Sequence, residues 1–166
     1  MAFNFIELDK TNLPKTKGMR VDGHRFYNIN GTNYPSVTTV LGIRKTEQLK
    51  EWREKIGEKV ANWEMGRAAR RGKSFHTLVE QYLKGETPSI RDVLPLGLFK
   101  LMKPYIDQIN NIHLLEAIMY SPKLTIAGQV DCVAEYNGKL SVIDFKTANK
   151  ERQESWIENY FLQTTA

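Results

Sequence analysis

The stretch Gly128 to Thr147, GQVDCVAEYNGKLSVIDFKT, constrains the chain most, because its pattern implies one local structure and leaves charged groups to be accounted for. Two runs of alternating apolar residues flank Asn137-Gly138. Asn-Gly is the dipeptide that most readily adopts the two positive φ angles of a type I′ turn, so the stretch reads as a β-hairpin. On its second strand Val142, Asp144 and Lys146 fall on one face, and Ile143 and Phe145 on the other. Asp131 lies on the partner strand, where pairing brings its carboxylate towards that of Asp144. Two carboxylates held together repel unless a cation or a proton sits between them. Oxygen donors suit a hard divalent ion, Mg²⁺ or Mn²⁺. Lys146, on the same face, adds a positive charge able to position or deprotonate a metal-bound water. The competing reading makes Asp144 and Lys146 the solvated face of a half-buried sheet. The apolar run of Val142, Ile143 and Phe145 argues instead for a central strand, where a charged pair needs partners to offset its desolvation. The metal-site reading is therefore preferred.

The chain has 166 residues, enough for one domain with a core, and carries a net charge of +5. From Arg44 to Lys73 there are ten Lys or Arg and five Glu, so 10 − 5 = +5 and this segment holds the whole excess. Such a stripe favours a polyanionic partner. Between Gln48 and Lys59 the charges read equally well as Glu–Lys pairs along a helix face. Gly66 to Lys73, GRAARRGK, has four basic residues and no acid. The single cysteine, Cys132, excludes an internal disulfide and any iron–sulfur cluster built from four cysteines of this chain. No apolar run is long enough to span a bilayer, and MAFNFIELDK lacks a signal-peptide pattern, so no membrane partner is expected.

Residues 1–18 show no firm periodicity and read as an arm. Arg25 to Ser36 alternates around Asn30-Gly31, a second small hairpin. Tyr34-Pro35-Ser36-Val37-Thr38 then marks a turn into a further element. Leu49, Trp52, Ile56, Val60 and Trp63 recur as one stripe of an amphipathic helix. A second helix runs from about Gly66 to Lys84, with Phe75, Leu78, Val79 and Tyr82 buried and Gly85 just past its end. His76 and Glu80 share one face of it. By itself a helical His is more often structural. Pro88 and Pro95 punctuate a loop, and Leu98, Leu101, Tyr105 and Ile109 mark a third helix. His113 to Tyr120 reads as a strand; Glu116 within it either supports the site or is an exposed strand acid. A last helix begins at about Glu154 and carries Trp156, Tyr160 and Gln163.

Gly128, Asp131 and then Asp144-Phe145-Lys146-Thr147 resemble the core of the PD-(D/E)xK nuclease superfamily, in its RecB-like exonuclease branch. Tyr34 to Leu41 and Gly72 to Glu80 resemble further signatures of that branch, in the same order, in mitochondrial genome-maintenance exonucleases and their bacteriophage relatives. The fold implied is α/β: a restriction-endonuclease-like core with a small mixed central sheet flanked by helices. Residues 1–45 would be the arm and small hairpin, and 46–166 the nuclease core. The resemblance makes Asp131 and Asp144 metal ligands, with the Phe145 carbonyl as a further one and His76 approaching an ion. It makes Lys146 the water-activating residue and leaves Glu80 evenly balanced as a catalytic acid. Gln163 helps to hold the site and the DNA. Ser36 is either a phosphate contact or a helix cap, the commoner role.

These readings imply a Mg²⁺- or Mn²⁺-dependent deoxyribonuclease, without an iron–sulfur cluster, that trims single-stranded DNA from free ends. Arg70, Arg71 and Lys73, one to two turns before His76, would hold phosphates without reading bases. The alternative is a non-catalytic DNA-binding module or accessory subunit derived from the same fold. The family's Tyr after Gln163 falls beyond Ala166, so the core is expected to be truncated at its C-terminus. The absence of an Arg- and Ser-rich leader sets the expected location in a bacterial or phage-infected cytoplasm rather than the mitochondrial matrix.

Overall fold

The computed structural model describes residues 3–9, 11–43, 46–89, 91–149 and 154–166. Arg44 and Lys45, which open the basic segment and mark the expected domain boundary, lie outside these, as do the Trp156 side chain and most of the link before the last helix. The elements run β1 (Gly18–Val21), β2 (His24–Ile29), β3 (Thr32–Pro35), α1 (Val37–Ile43), α2 (Thr46–Ile56), α3 (Glu58–Leu83), α4 (Val93–Ile106), β4 (Ile109–Ser121), β5 (Ile126–Tyr136), β6 (Lys139–Ile143) and α5 (Glu154–Thr165). The architecture is mixed α and β. Among the described residues no helix is long and apolar enough to cross a membrane.

Both Asn-Gly turns form as expected: Asn30 and Gly31 have φ of 52° and 83°, Asn137 and Gly138 of 50° and 75°. The first joins β2 to β3, the second β5 to β6. Asp22-Gly23 makes a third such turn, adding β1 to β2 where the sequence showed no firm pattern. The two three-stranded sheets, ordered β1-β2-β3 and β4-β5-β6, are antiparallel, not mixed. Parallel pairing among the described residues is limited to two single bridges, Phe5 with Ile112 and Ser36 with Ala127. The central strand of the second sheet is β5. β6, expected to be central, is an edge, which is why Val142 is exposed despite its apolar neighbours.

The stripe from Leu49 to Trp63 is divided between two helices. Gly57, at φ 83°, leaves helical geometry between α2 and α3, a conformation that glycine adopts without a Cβ clash. Leu49, Val60 and Trp63 consequently stay exposed rather than sharing one buried seam. α3 then runs unbroken to Leu83, and Gly85 follows at φ 74° as expected. Pro95 sits in the first turn of α4, where a missing N–H costs nothing, rather than in a loop. Leu101 and Tyr105 face solvent on α4, and Ile109 starts β4.

The main core joins Phe75, Leu78, Val79 and Leu83 of α3 to Phe99 and Ile106 of α4, Ile109 and Ile112 of β4, Cys132 and Ala134 of β5, and Phe145. Tyr27, Ile29 and Ala127 form a smaller core where the first sheet meets β5. Leu78→Ala, at a side chain with no exposure, should cost about 2–5 kcal/mol through lost burial and a residual cavity. Leu101→Ala, at a position 73% exposed, should stay within about 0.5 kcal/mol. Urea-unfolding midpoints of the two variants check the pair.

Candidate active site

Strand register assembles a row of acids. Cys132 pairs with Ile143, so Asp131 and Asp144 fall opposite each other just beyond the last rung of the β5–β6 ladder. Leu115 pairs with Cys132 and Ala117 with Val130, so Glu116 stands opposite Asp131 on the other side. Three carboxylates from three adjacent segments thus line up across the sheet. Asp144 lies past the end of β6, so its backbone is free of the ladder.

His76 closes the row from α3. Its Nε2 lies 2.7 Å from the carbonyl oxygen of Phe145. A carbonyl only accepts, so Nε2 carries the proton and donates it. Nδ1 then faces Asp131 Oδ1 at 3.5 Å, with its lone pair available in the neutral ring. One ligand atom from each of His76, Glu116 and Asp131 falls within 4.8 Å of the others, a grouping able to hold a metal ion. The other Asp131 oxygen, Oδ2, accepts the Phe145 backbone N–H at 2.7 Å.

Electrostatics at this cluster favour a bound cation or proton. Burial pushes Glu116 up to about 7, with the Asp131 charge adding to the shift and His76 opposing it. Burial likewise raises Asp131 above its usual carboxylate range; His76 and the Phe145 N–H oppose that shift, and Asp144 reinforces it. Glu116 also accepts a hydrogen bond from Gln129 Nε2 at 2.7 Å. Its sequence context left its role open, because the signal is the pairing register between distant strands. Its φ of 51°, unusual for a glutamate, marks the local distortion of β4 there.

Asp144 is shared between two partners. Lys146 Nζ approaches its oxygens at 2.5 and 2.6 Å, and Gln163 Nε2 of α5 donates to Oδ1 at 3.1 Å. Lys146 Nζ also lies 5.7 Å from the centre of the Tyr160 ring. These groups open onto a cleft of about 700 Å³ whose lining includes Ser36, Lys73, His76, Glu80, Asp131 and Lys146. Glu80 pairs with Lys84 one turn on, at 2.6 Å. Ser36 is buried at the head of α1, where its hydroxyl accepts the Thr39 N–H at 3.0 Å, a cap within the cleft wall.

The basic run divides. Lys73 faces the cleft and Arg70 is exposed, but Arg71 is buried and its Nη1 donates to Asn149 Oδ1. The expectation of an exposed phosphate contact at Arg71 meets a brace between α3 and the segment after Lys146. The GRAARRGK composition could not separate these roles, since helical phase decides which side chain turns inward.

Asp131→Ala leaves the Phe145 N–H without its acceptor and should cost roughly 1–3 kcal/mol. Asp131→Asn keeps an acceptor and removes a charge facing Glu116 and Asp144, so it should match or exceed the wild type at pH 8 without divalent cations. Thermal melts of the three proteins in EDTA decide it.

No family model matches the chain. The chain is 33% identical over 129 residues to mitochondrial genome maintenance exonuclease 1 of Homo sapiens. It is 30% identical over 128 residues to the Mus musculus protein of that name, and 31% over 137 residues to that of Xenopus tropicalis. These matches take in 71%, 71% and 74% of this chain and 38% of each relative, so the chain spans well under half of their length. The expected bacterial or phage-infected cytoplasm is corrected by these names, which point to the mitochondrion. That expectation rested on the composition of the first residues, which carries no address in a chain matching 38% of its relatives. Over the matched segment the chain is a homologue of the proteins named mitochondrial genome maintenance exonuclease 1.

Proposed function

We propose that the chain forms the catalytic segment of a Mg²⁺- or Mn²⁺-dependent DNA exonuclease of the PD-(D/E)xK, RecB-like type, acting on single strands with free ends. The observation that carries this reading is the meeting of His76, Glu116 and Asp131 within 4.8 Å beside the Asp144–Lys146 pair, in a homologue of proteins named exonuclease. Residues 46–166 form the nuclease core in this reading, with 1–45 as its arm and small hairpin. The relatives' names direct the cellular setting towards the mitochondrion.

The donor set fits a hard divalent ion: two carboxylates raised by burial, a third opposite, and an imidazole whose Nδ1 is turned inward. Asp131, Glu116 and His76 would hold it, with Asp144 and the Phe145 carbonyl beside them. Such an ion, when bound, lowers the pKa of water and offsets charge on the leaving oxygen. The rest is the work of the chain. The Nε2–H to Phe145 bond fixes the His76 tautomer, an orienting contact of the kind that metal-site histidines use. Lys146 brings a cation to the place where negative charge grows on the attacked phosphate, and Gln163 keeps Asp144 turned towards it. Lys73 and Arg70 hold the strand by its phosphates, Glu80 flanks the site, and Ser36 shapes the cleft mouth. In this reading the single strand lies in the cleft of about 700 Å³.

End-labelled single-stranded DNA incubated with Mg²⁺ or Mn²⁺ tests the proposal. Lys146→Ala should lower turnover by roughly 10²–10³. Equal shortening by both proteins, or shortening that persists in excess EDTA, sinks it. A non-catalytic binding module would instead bind DNA in a salt-sensitive way and shorten no end under any metal. Independently of activity, Mn²⁺ at about a hundredfold above its dissociation constant should stabilise the wild type by about 2.7 kcal/mol. Asp131→Asn should lose most of that gain in calorimetric melts.

A further inference from the structure

A second cleft, of about 400 Å³, opens on the first sheet. Arg20, His24, Arg25, Thr38 and Thr39 supply its polar lining, Ile43 adds an apolar ledge that is 67% exposed, and no carboxylate lines it. Arg25 and Thr38 line both this cleft and the main one, so the two adjoin there. Glu80, Glu116, Asp131 and Asp144 line the main cleft, whereas Arg20 and His24 line only the second.

Arg25 is presented rigidly where the clefts join. Its backbone N–H donates to Thr39 Oγ1 at 3.0 Å, and its carbonyl accepts the Ser36 N–H at 2.8 Å. Ser36 and Thr39 therefore anchor the β2 backbone at Arg25 through both its N–H and its carbonyl. Arg20 is held at the Asp22-Gly23 turn by its bond to the Gly23 carbonyl at 3.0 Å. No ion pair of either arginine with a carboxylate occurs among the described residues. An Arg20 guanidinium held by the Gly23 carbonyl, an Arg25 anchored through its backbone, two threonine hydroxyls and an apolar ledge match a nucleic-acid strand: phosphates for the cations, a sugar or base for Ile43.

We propose that this second cleft is an extension of the substrate path, a track for backbone phosphates of the single strand beyond the nucleotides held at the acid cluster. The proposal rests on the nuclease reading above and adds to it where the strand goes. Binding here is sequence-independent, because phosphates and not base edges are held. It also adds to the attraction that Lys73 and Arg70 supply at a cleft rich in acids.

The test uses Arg20→Gln/Arg25→Gln, which removes both charges and leaves a shorter, neutral polar side chain at each position. Anisotropy with fluorescent oligothymidylates of about 4 and about 16 nucleotides, lengths that bracket common single-strand sites, is measured in EDTA across a salt series. The wild type should bind the long oligonucleotide more tightly than the short one. The double variant should lose that advantage, and its salt slope on the long one should fall by about 1.4, about 0.7 for each lost contact on a single strand. Affinity for the short oligonucleotide should change less than twofold. Unchanged binding of the long oligonucleotide, or equal weakening at both lengths, overturns the track while leaving the nuclease reading in place. A wild type that binds neither length overturns the track, while the nuclease reading is decided by the metal-dependent shortening of labelled ends.

Discussion

Asp131 is the point on which the site turns. One carboxylate oxygen accepts the Phe145 N–H at 2.7 Å, and the other faces His76 at 3.5 Å. The first bond tethers the backbone leaving β6 to the central strand, so Asp144 and Lys146 stay close although the ladder has ended. The hydrogen bond from His76 Nε2–H to the Phe145 carbonyl holds α3 to the same segment, with Phe75 and Leu78 packing beneath it in the same core that takes in Phe145. A carboxylate half withdrawn from water is thus stabilised by a backbone donor and left with charge to spare. The catalytic reading and the packing share this one group.

The sheet supplies the acids and the helices supply what orients them. β4, β5 and the end of β6 each bring one carboxylate to the row, which forces like charges together. His76 from α3, Gln163 from α5 and Gln129 on β5 each hold one of those carboxylates or its neighbour by a directional contact. None of these contacts joins residues close in sequence except through the hairpin. Burial and like-charge crowding in such an arrangement raise Glu116 and Asp131.

Local chemistry was legible in the sequence and register was not. Asn30-Gly31 and Asn137-Gly138 announce their turns because two positive φ angles are a property of the dipeptide. The long strand through Glu116 and the helix through His76 follow from composition and period. The placement of Asp131 near Asp144 came from the hairpin alone, whereas Gln163, singled out by the family resemblance, donates to Asp144. Glu116 stayed ambiguous because its partner across the sheet is set by a long-range pairing. Arg71 was misjudged for a related reason: a run of cations carries no mark of which one the helix turns into the core. The apolar stripe through Leu49 and Trp63 predicted one helix, since periodicity is blind to the single Gly57 that breaks its phase.

The register of β4 has its own support. Between Asn110 and Leu114 it advances four residues against two on β5, from Glu135 to Val133, leaving the Ile112 backbone turned away from its neighbour. The arm answers it: Ile112 N–H donates to the Asn4 carbonyl and Ile6 N–H to the Ile112 carbonyl, each at 2.8 Å. Asn4 Nδ2 also donates to Asn111 Oδ1 at 2.7 Å. Those contacts span more than a hundred residues and have no counterpart until β4 is already irregular in the native way. Closing so long a loop for so few bonds is entropically expensive. Late docking and early release of the arm are the expected consequence, with hydrogen exchange at the Ile6 and Ile112 amides running ahead of that of the β5 amides.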